Sequence, residues 1–169
     1  MIIALTGTPG TGKSTVARII DAGFNVIDLN ALIKDRYNFG ADPERGGSLL
    51  ADLDGLTAHV ENLEGDYVIE GHVSHFLPVD IVVVLRAAPR VLRDRLAGRG
   101  WSKAKIDENV EAEALDVILV EALELNDRVY EIDGTCMTPE QMAGAVREIA
   151  RGTDKYKPGS VDFSEELFL

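Results

Sequence analysis

The chain has 169 residues, a length for a single domain that would bury roughly 70% of its unfolded surface. Hydrophobic residues at 46% and charged residues at 27% are ordinary globular values, and a formal net charge of −12 argues against broad nucleic-acid or anionic-membrane binding. Cys136 is the sole cysteine, so no internal disulfide forms; no apolar run approaches the about 18 residues of a membrane span, and the N-terminus reads as a buried strand rather than a signal peptide, so a cytoplasmic protein is expected.

The first apolar run, Ile2-Ile3-Ala4-Leu5, predicts a strand. It leads into Gly7-Thr8-Pro9-Gly10-Thr11-Gly12-Lys13-Ser14 and then into Thr15-Val16-Ala17-Arg18-Ile19-Ile20, which reads as a helix. Gly-x4-Gly-Lys-Ser between strand and helix is the Walker A phosphate loop. Its glycines let the backbone aim N–H groups at phosphate oxygens, and the helix N-terminus adds partial positive charge. Lys13 would reach the β- and γ-phosphates of a nucleoside triphosphate, and the Ser14 hydroxyl would ligate Mg²⁺.

Further strands are predicted at Asn25-Val26-Ile27, Tyr67-Val68-Ile69, Ile81–Leu85 and Arg128–Ile132. The run at 81–85 lacks alternation, as expected of a strand buried on both faces; the last is less apolar and is placed at an edge. Residues 37–48 are rich in Gly and polar residues and read as a mobile loop with a hinge at Gly46-Gly47. Pro89 opens a helix to about Ala97. Ile106, Val110, Ala114, Val117, Val120 and Leu123 predict one long amphipathic helix, with Asp107, Glu108, Glu111, Asp116, Glu121 and Glu124 on its solvated face. Thr138-Pro139-Glu140 starts the last helix with a cap and a first-turn proline. Residues 152–169 read either as a disordered tail or, through Val161, Phe163, Leu167 and Phe168, as a segment docked on the body or on a partner. Alternation of strands and helices implies an α/β fold with a five-stranded parallel sheet flanked by helices.

In such sheets ligands lie beyond the carboxyl ends of the strands. Glu70, after the third strand, would face the nucleotide and hold Mg²⁺ or position a water, and His72 could orient the γ-phosphate or that water. His59 and His75 read as structural. Arg86, Arg90, Arg93, Arg95 and Arg99 form an unusual cluster for an acidic chain. Arg95 and Arg99 form an i, i+4 pair that could stack on adenine or grip phosphates, whereas Arg90 and Arg93 read as surface ion pairs. No Asn-Lys-x-Asp guanine motif and no Cys/His metal cluster occurs in the sequence.

Together, the N-terminal phosphate loop, Glu70-Gly71-His72, Val84-Leu85-Arg86 and Arg95-Leu-x-x-Arg99-Gly100-Trp101 before a long helix resemble the adenylate kinase isoenzyme 6 family, over about residues 2–150. The resemblance implies a single P-loop kinase domain over 1–169. A short nucleoside-monophosphate (NMP) insert would span about 28–52, a lid about 99–109, and the tail about 152–169. It implies ATP binding by Gly10, Gly12, Lys13, Ser14 and Thr15, with Arg99, aided by Arg95, closing over ATP. Catalysis would involve Lys13, Glu70, His72 and Arg99, with Mg²⁺ held by Ser14 and Glu70. Where the family pattern Gly-Asp-Leu-x-Arg would supply an acceptor arginine, Lys34 stands here with Arg36 nearby; lysine is a point charge without the bidentate grip. The implied reaction is ATP + AMP ⇌ 2 ADP, with ATPase activity and a part in maturation of the small ribosomal subunit and its 16S rRNA. The implied partner is a small-subunit platform ribosomal protein of the S-eleven family. The residues also leave open an assembly-factor ATPase with little metabolic role, or a P-loop kinase for another small acceptor.

Overall fold

A computed structural model describes residues 1–20, 23–42 and 48–168. In chain order the chain forms β1 (Ile2–Thr6), α1 (Lys13–Ile19), β2 (Asn25–Asp28), α2 (Leu29–Asp35), β3 (Asn38–Asp42), β4 (Ser48–Ala51), α3 (Leu53–Glu61), β5 (Tyr67–Glu70), β6 (Ile81–Arg86), α4 (Pro89–Ala97), α5 (Lys103–Ala114), α6 (Val117–Leu125), β7 (Val129–Asp133) and α7 (Pro139–Ala150). The main sheet is parallel, in the order β2-β5-β1-β6-β7, so the predicted five strands are present and β7 lies at an edge.

Alternation along β1 and β6 sends side chains to two cores. Ile3, Leu5, Val83 and Leu85 meet Val16 and Ile20 around α1 and Met142, Val146 and Ile149 of α7. Ala4, Val82 and Val84 meet Leu119 and Ala122 of α6. With both faces covered, every residue of β6 is buried, the reason its sequence is apolar without alternation. Smaller cores hold α2 and α3 (Leu29, Ile33, Leu56, Val60) against Ile69, and α4 against α5 (Leu92, Leu96, Ile106, Val110). The predicted cap at Thr138 is a full capping box with Gln141. Among the described residues no helix is long and apolar enough to cross a membrane.

Four expectations need correction or resolution. The stretch read as a mobile loop holds strands β3 and β4, an antiparallel pair; the suggested Gly46-Gly47 hinge lies outside the described residues. The single long helix is two, broken at Leu115 and Asp116, where Asp116 adopts φ 57° and its part-exposed carboxylate pairs with Arg86. Arg95 lies in α4, but Arg99 falls one residue past that helix's Gly98 cap, so the two are not neighbours on one helix face. The tail docks: Phe163 is buried under Arg86, Gly159 N–H donates to Glu131 Oε2 at 3.0 Å, and Glu166 accepts from the backbone N–H of Arg90 at 3.1 Å.

Candidate active site

The phosphate loop leaves β1 through Gly7, at φ 134°, where a Cβ would stand 2.2 Å from the Leu85 carbonyl oxygen; no other residue fits that approach. Gly12 (φ 107°) caps α1 without a side-chain acceptor, its carbonyl taking the Thr15 N–H at 3.0 Å and leaving the N–H groups of Lys13 and Ser14 for an incoming anion. Ser14 and Thr15 are exposed on this first turn, while Lys13 is buried. Its Nζ donates to the carbonyls of Gly7 at 2.7 Å and Thr8 at 3.1 Å. Burial pulls its pKa down to about 8; Glu70 and Glu113 oppose that pull and the charge of Arg99 adds to it.

Glu70 ends β5, in register with Leu5 of β1 and Asp28 of β2. It is 3% exposed. Burial raises its pKa, the Ser14 hydroxyl works against that rise, and the Asp28 charge reinforces it. Its Oε2 is the one buried side-chain polar atom among the described residues without a hydrogen-bond partner. An orphaned carboxylate oxygen beside a serine hydroxyl suits a hydrated divalent cation that takes its remaining ligands from nucleotide phosphates. Among the described residues no group of three or more His, Cys, Asp or Glu side chains could hold a metal ion by itself.

His72 is exposed at the mouth of the site, and its backbone carbonyl accepts the Thr6 hydroxyl at 3.2 Å. Partial desolvation, with the charges of Lys13, His75 and Lys105, lowers its pKa, so the ring is neutral at neutral pH. His75 is buried between Thr6 Oγ1 (3.0 Å), just before the loop, and Glu121 (3.2 Å), and His59 contacts the Tyr37 hydroxyl at 3.3 Å.

Arg95 Nη1 donates to the Gly10 carbonyl at 3.0 Å, fastening α4 to the phosphate loop. Arg99 is exposed, close enough to Lys13 to affect its charge. Arg90 and Arg93 pair with Glu166 and Asp107 at the surface. Lys34 and Arg36 lie exposed at the end of α2; Arg36 pairs with neighbouring Asp35 at 2.8 Å, and among the described residues neither is hydrogen-bonded to the phosphate loop.

A protein-family model described as AAA domain matches residues 3–116. A protein of Archaeoglobus fulgidus named "Putative adenylate kinase" is 48% identical over 172 residues, covering 99% of this chain and 94% of the relative. A protein of the same name from Methanothermobacter thermautotrophicus is 46% identical over 167 residues, covering 96% of this chain and 97% of the relative. The chain belongs to this archaeal adenylate kinase family, the one its motifs resemble. Its fold also matches the solved deoxyadenosine kinase from M. mycoides with bound dATP, with a TM-score of 0.61 over 90% of this chain and 100% of that one, at 16% identity. That likeness shows the P-loop kinase fold.

The family motifs did not point to one part of the site. Glu113, 2% exposed on the last turn of α5, accepts the hydroxyl of Thr8 in the phosphate loop. It also accepts from Arg86 Nε at 2.7 Å and Ala87 N–H at 3.1 Å. Arg86 in turn reaches Glu131 at 2.6 Å and Asp116. Burial opposes the charge on Arg86, but Glu113 and Asp116 overcome it and raise its pKa. The sequence held a signal for this: counted on from Ile106 and Val110, position 113 falls on the apolar face of the helix, where a glutamate must have a buried partner.

Proposed function

We propose that this kinase-family chain is a broad-specificity nucleoside monophosphate kinase catalysing ATP + AMP ⇌ 2 ADP with Mg²⁺. The supporting observation is a buried lysine and a buried, orphaned carboxylate side by side at a phosphate loop whose helix carries no side-chain cap. The N–H groups around Gly10, Gly12 and Thr15 would take the phosphate oxygens of ATP. Lys13 would exchange its carbonyl partners for β- and γ-phosphate oxygens and stabilise charge as the acceptor phosphate oxygen attacks and ADP leaves. Ser14 and Glu70 would hold Mg²⁺, which supplies charge neutralisation on the phosphates. Arg99, with Arg95 bracing the loop, would close over ATP as part of a lid at about 99–109. The acceptor would lie against the insert at about 28–52, where Lys34 and Arg36 offer cationic contacts to its phosphate.

A coupled assay of ADP formation with and without AMP, CMP, GMP or UMP tests this reading. Strong stimulation by AMP supports it. Phosphorylation of a different small acceptor, with none of the monophosphates, points instead to another P-loop kinase.

The resemblance and the net charge of −12 favour a second activity at the same site. We propose ATP hydrolysis coupled to maturation of the small ribosomal subunit, with the platform protein of the S-eleven family as partner. Neutral His72, exposed beside Lys13, would orient the attacking water. His72→Ala should then reduce hydrolysis more than transfer to AMP; equal loss of both removes that role.

A further inference from the structure

Thr8 and Glu113 are 105 residues apart in the chain, yet their side chains form a buried hydrogen bond. Thr8 is also the hub of the phosphate loop. Its carbonyl accepts the Thr11 N–H at 3.2 Å, the Thr11 hydroxyl at 2.9 Å and Lys13 Nζ at 3.1 Å. Whatever fixes Thr8 therefore fixes where Lys13 starts from. Thr8 is 1% exposed, and its buried hydroxyl is held by Glu113.

Glu113 is in turn held from several sides. Arg86 holds its side chain at 2.7 Å and its backbone carbonyl at 3.0 Å, and the Ala87 N–H adds a third bond from the sheet. Arg86 itself is fastened to β7 through Glu131 and covered by Phe163. Retaining a carboxylate here is costly; a leucine would continue the apolar face of α5 at less expense in desolvation. The same helix begins at Ser102–Lys103, inside the segment proposed as the lid, and packs on α4 through Ile106 and Val110. One rigid helix thus joins the lid segment at its N-terminal end to the phosphate loop at its C-terminal end.

We infer that Glu113 is a positioning residue for the phosphate loop, and that its bond to Thr8 couples the place of the lid helix α5 to the arrangement of the loop that receives ATP. The inference rests on the proposed function in taking ATP as the ligand and 99–109 as the lid. Thr8→Val removes the hydroxyl with little change of volume, and Thr8→Ser restores it.

The test measures ATP affinity by calorimetry with Mg²⁺ present and hydrogen exchange of residues 103–114 with and without saturating ATP. A hydrogen bond to a charged group is worth enough that T8V should bind ATP about tenfold or more weakly, while T8S stays close to wild type. ATP should protect residues 103–114 in the wild type and in T8S but not in saturated T8V. Adding T8V to Glu113→Ala should weaken binding no further than Glu113→Ala alone, because the alanine variant has already lost the contact to Thr8. Glu113→Ala can fail to fold, since Arg86 loses a charged partner; the T8V and T8S pair, checked by thermal unfolding, then decides alone. Wild-type affinity in folded T8V, or unchanged protection of 103–114 in that variant, overturns the inference while leaving the kinase reading standing. Absence of ATP binding by the wild type overturns both.

Discussion

Lys13 holds its charge against burial, and this makes nucleotide binding sensitive to pH. Without nucleotide its pKa is about 8, below the ordinary lysine value of 10.5. Bound phosphates would add negative charge and raise it again. ATP binding should therefore take up a proton above pH 8, and affinity should fall as pH rises through that value. Calorimetry at about pH 9 in two buffers of different ionisation enthalpy reads the proton directly; a slope of zero counts against it. The sign for folding is opposite. Between pH 8 and 10.5 the unfolded chain binds more protons at Lys13 than the folded one, so this residue's contribution makes the nucleotide-free protein more stable as pH rises across that window. Lys13→Ala should remove both pH effects and lower turnover by about 10²–10³ or more, the scale for losing one preorganised charge at a developing anion, with the fold retained. Turnover within a few-fold of wild type would dismiss the phosphate-loop assignment.

At the scale of elements, the break between α5 and α6 changes which residues face the core. Up to Ala114 the apolar spacing holds, with Ile106, Val110 and Ala114 buried. After Asp116 the phase shifts: Leu119 and Ala122 are buried, whereas Val117, Val120 and Leu123, which continue the spacing, stand 39%, 48% and 49% exposed. A left-handed residue rotates the next helix, and here the Arg86 ion pair holds that residue in place. The tail is the other element whose place depends on Arg86. Its Tyr156 carbonyl accepts the Glu131 N–H at 2.8 Å, covering part of the β7 edge. Ending the chain at Gly152 would expose the Phe163 site and take the Gly159 N–H from Glu131. The expected loss is about 2–4 kcal/mol, from one buried aromatic and one hydrogen bond to a charge. It should appear as a lower urea midpoint; an unchanged midpoint means the docked tail adds nothing to stability.

For the whole molecule, 29 acidic against 17 basic residues give a surface suited to a basic partner. Complementary charge speeds encounter and disfavours wrong partners. If the platform ribosomal protein is that partner, purified protein should be retained at low salt and released as ionic strength rises, because exposed charges are screened over about 8–10 Å at physiological salt. Retention should also differ between ATP and ADP. No retention at low salt with either nucleotide would leave a metabolic kinase alone.

The phosphate loop, the five strands of the main sheet, the edge position of β7 and the α7 cap were legible in the sequence because each is written locally: a motif within eight residues, an apolar run, or a cap followed three residues later by its reciprocal partner; the β3-β4 pair, read as a loop, was not. The placement of Glu70 at the carboxyl end of a parallel strand also followed from local order, once the sheet was inferred. What only the tertiary structure decided depends on charges meeting across the chain. Arg86 finds Glu113, Asp116 and Glu131 at separations of 27, 30 and 45 residues, and Glu113 finds Thr8 at 105. Periodicity places Asp116 on the solvated face and misses its pairing, because a helical wheel does not contain a buried guanidinium on another element. The desolvation of that guanidinium draws the carboxylates inward, breaks the helix, seats the tail and fastens the phosphate loop.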